Sequence, residues 1–322
     1  MKLASFQRDA EVRLGALNGD GNKIIDLAAA AGRKSAPFAS MLTLIQAGEA
    51  GLEQARQTLA QAEDSAADGV VLPLDGLRLV APLTPPRMLC FSVYDRHVKQ
   101  AFESAITLRA GKTVGALAKR MNLVRLPKSF YAKPLYYKGN NLSVIGHDED
   151  VIWPRWTEMM DYELELGVVL GKAGKNIDEN DAMAYVFGYT CFNDFSARDV
   201  MMREIPRGVG PIKGKDFDTG NAMGPWIVTA DEIPDPYDLR MQVRVNGELR
   251  GESSTSLMSH PISKMIAVAS DEERVVPGEF FGTGAAPDGC GIESLRFLAP
   301  GDLVEIEIDG IGILRNRVVR AS

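Results

Sequence analysis

The sequence contains few of the side chains on which disulfide frameworks and most protein metal sites depend. Its 322 residues include three cysteines and three histidines. The cysteines lie far apart and form no CxxC pair, which argues against a disulfide scaffold or a thiolate zinc site and fits a reducing cytoplasm. So few histidines exclude a histidine-rich metal centre, and a bound metal would therefore depend on carboxylates. The six residues are Cys90, Cys191, Cys290, His97, His147 and His260.

Long hydrophobic runs and an excess of positive charge are also lacking. No apolar run approaches the ~18 residues that a membrane-spanning helix needs, and residues 1–12 have no apolar core of a signal peptide. The net charge of −7 repels phosphate backbones. We therefore expect a cytoplasmic protein with neither a nucleic-acid nor a membrane partner. A hydrophobic fraction of 45% and a charged fraction of 25% are ordinary for a globular protein and exclude a disordered chain.

The beginning of the chain has the pattern of a small α+β domain. Short strand patterns and segments rich in helix formers alternate there, and four prolines between Pro73 and Pro86 indicate a linker. The pattern predicts a small N-terminal domain over residues 1–80 and a larger domain over residues 81–322. The predicted strands are residues 2–7 and 12–17, and the predicted helices are residues 24–31 and 38–63.

The larger domain is predicted to be mainly β. Asn246-Gly247 and Asp309-Gly310 each separate two strand patterns, which is typical of β-hairpins. Helices are few, and one of them is predicted from Asp178 to Gly188. Closely spaced strands favour a mainly β (α+β) barrel or sandwich over a doubly wound sheet. Residues 96–125 mix helix formers with glycines and fit either a mobile lid over a site or a surface helical hairpin.

The densest acidic pattern lies in residues 161–166. If this segment is a strand, Asp161, Glu163 and Glu165 share one face, because side chains alternate with period two. Like charges on one face repel each other and need a cation or solvent, for which Mg²⁺ or Ca²⁺ is the natural partner. The alternative is a half-solvated strand. Residues 304–308 show the same alternation, and there we predict that Glu305 and Glu307 face solvent.

Three further segments carry candidate site residues. Asp194 follows a short apolar strand, where ligand-binding residues commonly lie, or it only caps a turn. Lys215 either lies beside an anionic substrate or belongs to a polar loop without a site role. His97 follows Tyr94 by three residues and is either catalytic or structural.

Taken together, these segments resemble the fumarylacetoacetate hydrolase family over about residues 85–320. The resemblance rests on four ordered motifs and on a similar upstream stretch, Tyr136-Tyr-Lys138. The motifs are DYELELGVVLGK at residues 161–172, NDFSARD at 193–199, GKDFDT at 214–219 with GPW at 224–226, and the C-terminal pattern from Leu298 to Asn316.

The resemblance implies a twisted mixed β-sheet roll with a smaller N-terminal domain, and a homodimer. It implies Mg²⁺, with Mn²⁺ or Ca²⁺ as alternatives, acting as a Lewis acid on a 2-oxo acid substrate. His97 matches the family's general base. The metal ligands would be Glu163, Glu165 and Asp194, the catalytic residues His97 and Lys215, and the substrate-binding residues Tyr94, Arg198, Thr219 and Thr283.

Two departures from the family pattern concern the chemistry. Many members have a glutamate three residues after the base, to orient the histidine, and this chain has Gln100 there. A carboxylate from a remote loop could replace it, or the reaction is not hydrolysis. The loop after Thr283 also differs, which leaves the substrate open. We expect a metal-dependent hydrolase that cleaves a C–C bond of an acylpyruvate or β-diketo acid in aromatic catabolism. The alternatives are a hydratase, isomerase or decarboxylase acting on a 2-oxo or 2-hydroxy-dienoate, and a non-catalytic binding protein.

Overall fold

Strands provide most of the regular structure. A computed structural model describes residues 1–32, 35–63, 69–208 and 210–320. Within these residues the strands form one eleven-stranded sheet, one five-stranded sheet and one isolated pair, which confirms the mainly β prediction. The strands are β1 Lys2–Arg8, β2 Glu11–Leu17, β3 Lys23–Asp26, β4 Val71–Pro73, β5 Met88–Ser92, β6 Leu135–Lys138, β7 Val144–Ile145, β8 Val151–Trp153, β9 Met160–Asp161, β10 Leu164–Leu170, β11 Val186–Asp194, β12 Ser196–Ala197, β13 Asn221–Thr229, β14 Arg240–Val245, β15 Glu248–Ser254, β16 Phe280–Gly282, β17 Leu303–Ile308 and β18 Gly312–Arg320.

The helices of the described ranges are mostly short, and none is both long and apolar enough to cross a bilayer. The α-helices are α1 Leu27–Ala30, α2 Met41–Gln46, α3 Gly48–Glu63, α4 Asp95–Ala110, α5 Lys112–Arg120, α6 Lys128–Ala132, α7 Arg198–Glu204, α8 Ile262–Ser270 and α9 Gly291–Ser294. Single 3₁₀ turns occupy Ala36–Ala39, Asn141–Ser143, Ala182–Tyr185, Ile205–Arg207, Ala230–Glu232 and Thr255–Leu257.

The large sheet is mixed and runs through both predicted domains. Its order is β4-β3-β2-β1-β13-β11-β10-β16-β5-β6, and β7 pairs with β13. β1 joins the sheet through its antiparallel pairing with β13, where Lys2 faces Val228. The predicted linker around Pro73 contributes β4, which pairs with β3. The sheet is thus continuous across residue 80, and the division of the chain into two domains stays a prediction.

The core lies on both faces of the large sheet. Between the large sheet and the five-stranded sheet, Val168 of β10 shares a buried cluster with Val243 and Ile306. On the other face, Val169 and Phe192 pack in a second buried cluster with Leu44 of α2. All seven residues of β10 are therefore buried. This explains the unbroken apolar run after Glu165, since a strand covered on both faces does not alternate between apolar and polar residues.

The sequence predicted a β-hairpin correctly where the turn residues readily adopt positive φ. The Asn246-Gly247 turn joins β14 and β15, and both residues have positive φ, as a type I′ turn requires. Glu305 and Glu307 are half-buried and alternate with buried apolar residues, as predicted. The helix predicted from Asp178 to Gly188 was wrong. Within that range only Ala182–Tyr185 form a single 3₁₀ turn, and residues 186–188 belong to β11, where pairing with β10 outweighs the weak local helix preference.

Candidate active site

Three carboxylates meet on two neighbouring strands. β10 and β11 are antiparallel, with Glu165 opposite Phe192. Glu163 forms a β-bridge directly before β10, and period-two alternation then places Glu163, Glu165 and Asp194 on the same face. One carboxylate oxygen from each residue lies within 4.8 Å of the others, and all three side chains are buried. The predicted metal ligands are therefore brought together.

Asp161, which the alternation also placed on this face, has a different position. It lies in β9, which pairs with β12, and its carboxylate does not belong to the group of three whose oxygens lie within 4.8 Å of one another. Its carboxylate accepts hydrogen bonds from the backbone N–H groups of Gly291 and Ile292 at 2.7 and 2.9 Å. Asp161 thus holds the start of α9 against the site. A side chain at Gly291 would not fit, because its Cβ would lie 2.4 Å from Asp161 Oδ1.

Two buried cations neutralise part of this negative charge. Lys215 Nζ lies 2.8 Å from Glu163 Oε2 and 2.9 Å from Asp194 Oδ2. Arg198 bridges Asp161 and Glu163 at 2.7 and 2.8 Å. The sequence predicted that the acidic face needs a cation or solvent, and the chain itself supplies two of the cations.

The pKa values follow from this uneven pairing. Burial alone would raise the pKa of Glu163, but the charges of Lys215 and Arg198 lower it well below its usual value. Burial, together with the charges of Glu163 and Asp194, raises the pKa of Glu165 well above the ordinary range. Burial also raises the pKa of Asp194, against the opposing effect of Lys215. The like charges of Glu165 and Asp194 are thus incompletely compensated.

The donor set fits a hard divalent cation. Four buried carboxylates face two buried cations, so the group retains two negative charges when all are ionised. Asp194 Oδ1 is buried without a hydrogen-bond partner among the described residues. Gly282 leaves room beside the cluster, since its Cβ would lie 2.8 Å from Glu165 Oε2. Carboxylate oxygens are the ligands that Mg²⁺, Mn²⁺ and Ca²⁺ prefer.

His97 lies beside this cluster in the first turn of α4. Its Nδ1 is 3.0 Å from Oε1 of Glu293, a residue of α9. Cys290 links the two groups, because it forms a β-bridge with Glu163 while its Sγ lies 3.6 Å from His97 Nδ1. The His97 ring also contributes to the electrostatic potential at Glu163. A carboxylate that is remote in the sequence thus contacts His97, and its role in place of the family's local glutamate stays a prediction.

Gln100 has another partner. Its Nε2 donates to Asp288 Oδ1 at 2.8 Å, and Asp288 is also paired with Arg96 at 2.6 Å. The glutamine thus ties α4 to the loop between β16 and α9.

The other predicted substrate-binding residues lie at different depths. Tyr94 is buried at the start of α4, and burial raises the pKa of its phenol. Thr283 is fully buried, and its backbone carbonyl accepts from Val93 N–H. The contacts of Thr219 do not place it beside the carboxylates. Its hydroxyl accepts from the backbone N–H of Ile152 at 2.7 Å, so its role in substrate binding stays a prediction.

Buried polar atoms without partners concentrate at this site. Among the described residues, five buried side-chain atoms lack a hydrogen-bond partner, and four belong to residues of this site or of the adjoining turn of α4. Such atoms are costly unless a ligand or water satisfies them. They are Tyr94 Oη, Gln100 Oε1, Asp194 Oδ1 and Arg198 Nη2.

The sequence did not reveal two functional neighbours. Glu293 is 196 residues from His97, and no local motif connects them. Tyr137 donates its hydroxyl hydrogen to Asp194 Oδ2. It lies in the stretch that resembles the family, but nothing in its spacing predicts that contact. Residues 96–125 form α4 and α5 as a helical hairpin with Gly111 at the turn, and the lid function stays a prediction.

Comparisons with known proteins identify relatives along nearly the whole chain. The family model described as fumarylacetoacetate (FAA) hydrolase C-terminal matches residues 107–319. The mitochondrial oxaloacetate tautomerase Fahd2a of Rattus norvegicus is 32% identical over 327 residues, covering 99% of this chain and 92% of that protein.

Solved structures extend the comparison. The maleylpyruvate hydrolase of Sphingobium sp. SYK-6, solved with manganese(II) and pyruvate, has a TM-score of 0.73 and 26% identity and covers 100% of both chains. A 2-hydroxyhepta-2,4-diene-1,7-dioate isomerase from Mycobacterium marinum has a TM-score of 0.69 and 25% identity, covering 100% of this chain and 99% of that one. Relatives of this chain thus include hydrolases, isomerases and tautomerases. By its family match and its similarity along nearly the whole chain, the protein belongs to the fumarylacetoacetate hydrolase family.

Proposed function

We propose that this protein is a divalent-metal-dependent enzyme that moves a proton at the carbon next to a 2-oxo group, and that oxaloacetate keto–enol tautomerisation is its reaction. The observation that carries the proposal is the His97–Glu293 pair beside the buried carboxylates. A carboxylate accepts hydrogen bonds, so Nδ1 carries the proton and Nε2 is left with a free lone pair. His97 therefore has the tautomer of a general base.

The carboxylates Glu163, Glu165 and Asp194 would hold Mg²⁺ or Mn²⁺. A divalent cation bound there supplies Lewis acidity toward the 2-oxo acid. Lys215 favours the ionised forms of Glu163 and Asp194 and holds both carboxylates in place through its ion pairs. Arg198 has an unpaired Nη2 that suits a substrate carboxylate, because guanidinium groups bind carboxylates well.

Proton transfer is assigned to His97. Its Nε2 accepts the proton from the carbon next to the 2-oxo group, and Glu293 stabilises the imidazolium through Nδ1–H. The same Nε2–H can return the proton to carbon or oxygen, so that the keto and enol forms interconvert without net consumption of water.

The test follows the disappearance of enol oxaloacetate by its ultraviolet absorbance, with and without Mg²⁺ or Mn²⁺. We expect a metal-dependent acceleration that is lost with EDTA and in His97→Asn. His147→Asn is the matched control, because His147 lies in a separate cavity with Leu77 and Arg78, and we expect it to retain activity. An interconversion rate equal to the uncatalysed rate would exclude tautomerisation.

Hydrolytic C–C cleavage of an acylpyruvate is the second candidate. It is favoured by the same pair, because Glu293 supplies the carboxylate that Gln100 does not, and His97 could then activate water. NMR of products from acylpyruvates, run beside the tautomerase assay, distinguishes the two reactions. A cytoplasmic location and a homodimer stay predictions, and the rat relative is named as mitochondrial.

A further inference from the structure

A second group of metal-ligating atoms lies beside the carboxylate cluster. His97 Nδ1, Cys290 Sγ and a carboxylate oxygen of Glu293 all lie within 4.8 Å of one another. Nδ1 is 3.6 Å from Sγ and 3.0 Å from Oε1. The three residues come from α4 and from the start of α9, so their spacing in the sequence gives no zinc motif. Folding creates the cluster.

The donor types differ from those of the carboxylate cluster. One imidazole nitrogen, one sulfur and one carboxylate oxygen suit Zn²⁺, which binds Cys, His and Asp or Glu, whereas Mg²⁺ prefers oxygen alone. With Zn–S near 2.3 Å and Zn–N near 2.0 Å, a tetrahedral site has an N-to-S distance of about 3.5 Å and an N-to-O distance of about 3.4 Å. The observed 3.6 Å between Nδ1 and Sγ already matches, and the carboxylate needs to retreat by only about 0.4 Å.

Contacts within the protein already position Cys290 and Glu293 without a bound metal. Glu293 Oε2 accepts from the backbone N–H of Cys290 at 3.1 Å, which fixes the carboxylate against the thiol. The β-bridge of Cys290 to Glu163 fixes the thiol in turn. The Cys290 side chain packs in a small buried cluster with Ala285 and Ile292. Access is from the His97 side, whose side chain is 11% exposed. Three protein ligands leave the fourth position for water, an arrangement common for zinc.

We infer that His97, Cys290 and Glu293 form an inhibitory Zn²⁺ site, separate from the carboxylate cluster. Zinc binds the Nδ1 lone pair of the other neutral tautomer, so the single ring proton of His97 moves from Nδ1 to Nε2 through solvent, and the Cys290 thiol releases its proton to solvent. Nε2 then carries a proton and can no longer accept one. The inhibition, but not the binding, depends on the proposed role of His97 as the base. Zinc would thus stop the enzyme by reversing the tautomer of its base while the carboxylate cluster keeps its own metal.

The experiment uses the whole protein in saturating Mg²⁺. Co²⁺ serves as a spectroscopic probe, since thiolate ligation gives a charge-transfer band in the near ultraviolet, and Zn²⁺ is titrated against activity. We expect the cobalt band in the wild type and its displacement by Zn²⁺. Loss of an outer partner of a metal ligand already costs about 10- to 100-fold in affinity, so Cys290→Ser should weaken zinc inhibition by at least that factor. Cys290→Ala is the second variant, should the serine protein not fold.

Cys90→Ser is the matched control. Cys90 is a buried thiol that lies near Glu165 and Asp194, so it would give the band if cobalt entered the carboxylate cluster instead. A band that follows Cys90, or zinc inhibition that is unchanged in both Cys290 variants, would overturn the site. A band that depends on Cys290, without any zinc inhibition, would overturn the regulatory step and count against His97 as the base. Absence of tautomerase activity with an intact Cys290-dependent band would instead reject the proposed function alone.

Discussion

His97 Nδ1 and Glu293 Oε1 lie 3.0 Å apart although 196 residues separate them in the sequence. α4 carries the histidine, and α9 carries the carboxylate. Asp161 binds the first two N–H groups of α9, and Cys290 bridges to Glu163, so residues 161–163 position the partner of His97.

Replacing Glu293 by glutamine should impair turnover more than binding. The amide cannot stabilise an imidazolium as a carboxylate does, so we expect kcat to fall by roughly 10²-fold, the lower range of general-base effects. The Mg²⁺ affinity of the carboxylate cluster, measured by calorimetry, should change little, because Glu293 is not one of its three carboxylates. An unchanged kcat would show that the pair is structural only.

Introducing a carboxylate at residue 100 should not improve the enzyme. From sequence alone, Gln100→Glu restores the family's local glutamate and should raise activity. In the structure, Gln100 donates to Asp288, so a glutamate there would face a like charge and lose that hydrogen bond. We expect lower activity and a lower melting temperature. Gln100→Glu combined with Asp288→Asn should recover stability, and failure to do so would argue against this contact.

Replacing Glu163 and replacing Glu165 by the neutral glutamine should affect the stability of the protein differently when it is measured in EDTA. Glu163→Gln removes a partner of Lys215 and Arg198 and should destabilise the protein by about 3 kcal/mol, as for breaking a buried ion pair. Glu165→Gln keeps an acceptor for Gly284 N–H and removes repulsion, so stability should hold or rise. Both variants should lose the increase in melting temperature that Mg²⁺ or Mn²⁺ gives the wild type. If Glu163→Gln and Glu165→Gln lowered stability equally in EDTA, the result would contradict the finding that Lys215 and Arg198 compensate Glu163 more than Glu165.

Acid should destabilise the protein partly through His147. Burial lowers the pKa of this side chain, whose Nδ1 accepts from the backbone N–H of Arg315 at 3.2 Å. Between the lowered folded pKa and the unfolded value of about 6.5, the unfolded state binds more protons, so stability falls as pH falls through that window. His147→Asn keeps an acceptor near the Nδ1 position but does not titrate. Unfolding by urea at several pH values should therefore show a shallower acid loss in the variant than in the wild type.

The sequence predicted features whose cause is local. Asn246-Gly247 forms its hairpin because both residues accept positive φ, and Glu163 and Glu165 share a face because a strand has period two. Asp161 does not join these carboxylates. It lies in β9, which pairs with β12, and no local pattern encodes that pairing.

Contacts between residues that are far apart in the sequence could not be predicted from local sequence patterns. Glu293 and Tyr137 lie at the site because of the order of the strands in the sheet. That order cannot be derived from a single sequence. The sequence therefore identified the carboxylates and the histidine, while the partner of the histidine and the role of Gln100 required the fold.

The pairing of β1 with one end of β13 has a consequence for aggregation. β7 covers the other end of the same side of β13, at Asn221 and Ala222, and β1 covers it at Ile227 and Val228. Removing residues 1–80 would uncover the apolar end of β13 at Ile227 and Val228, and exposed strand edges recruit strands from other molecules. By pairing with β13, the N-terminal segment thus hinders the addition of strands from other molecules to this sheet.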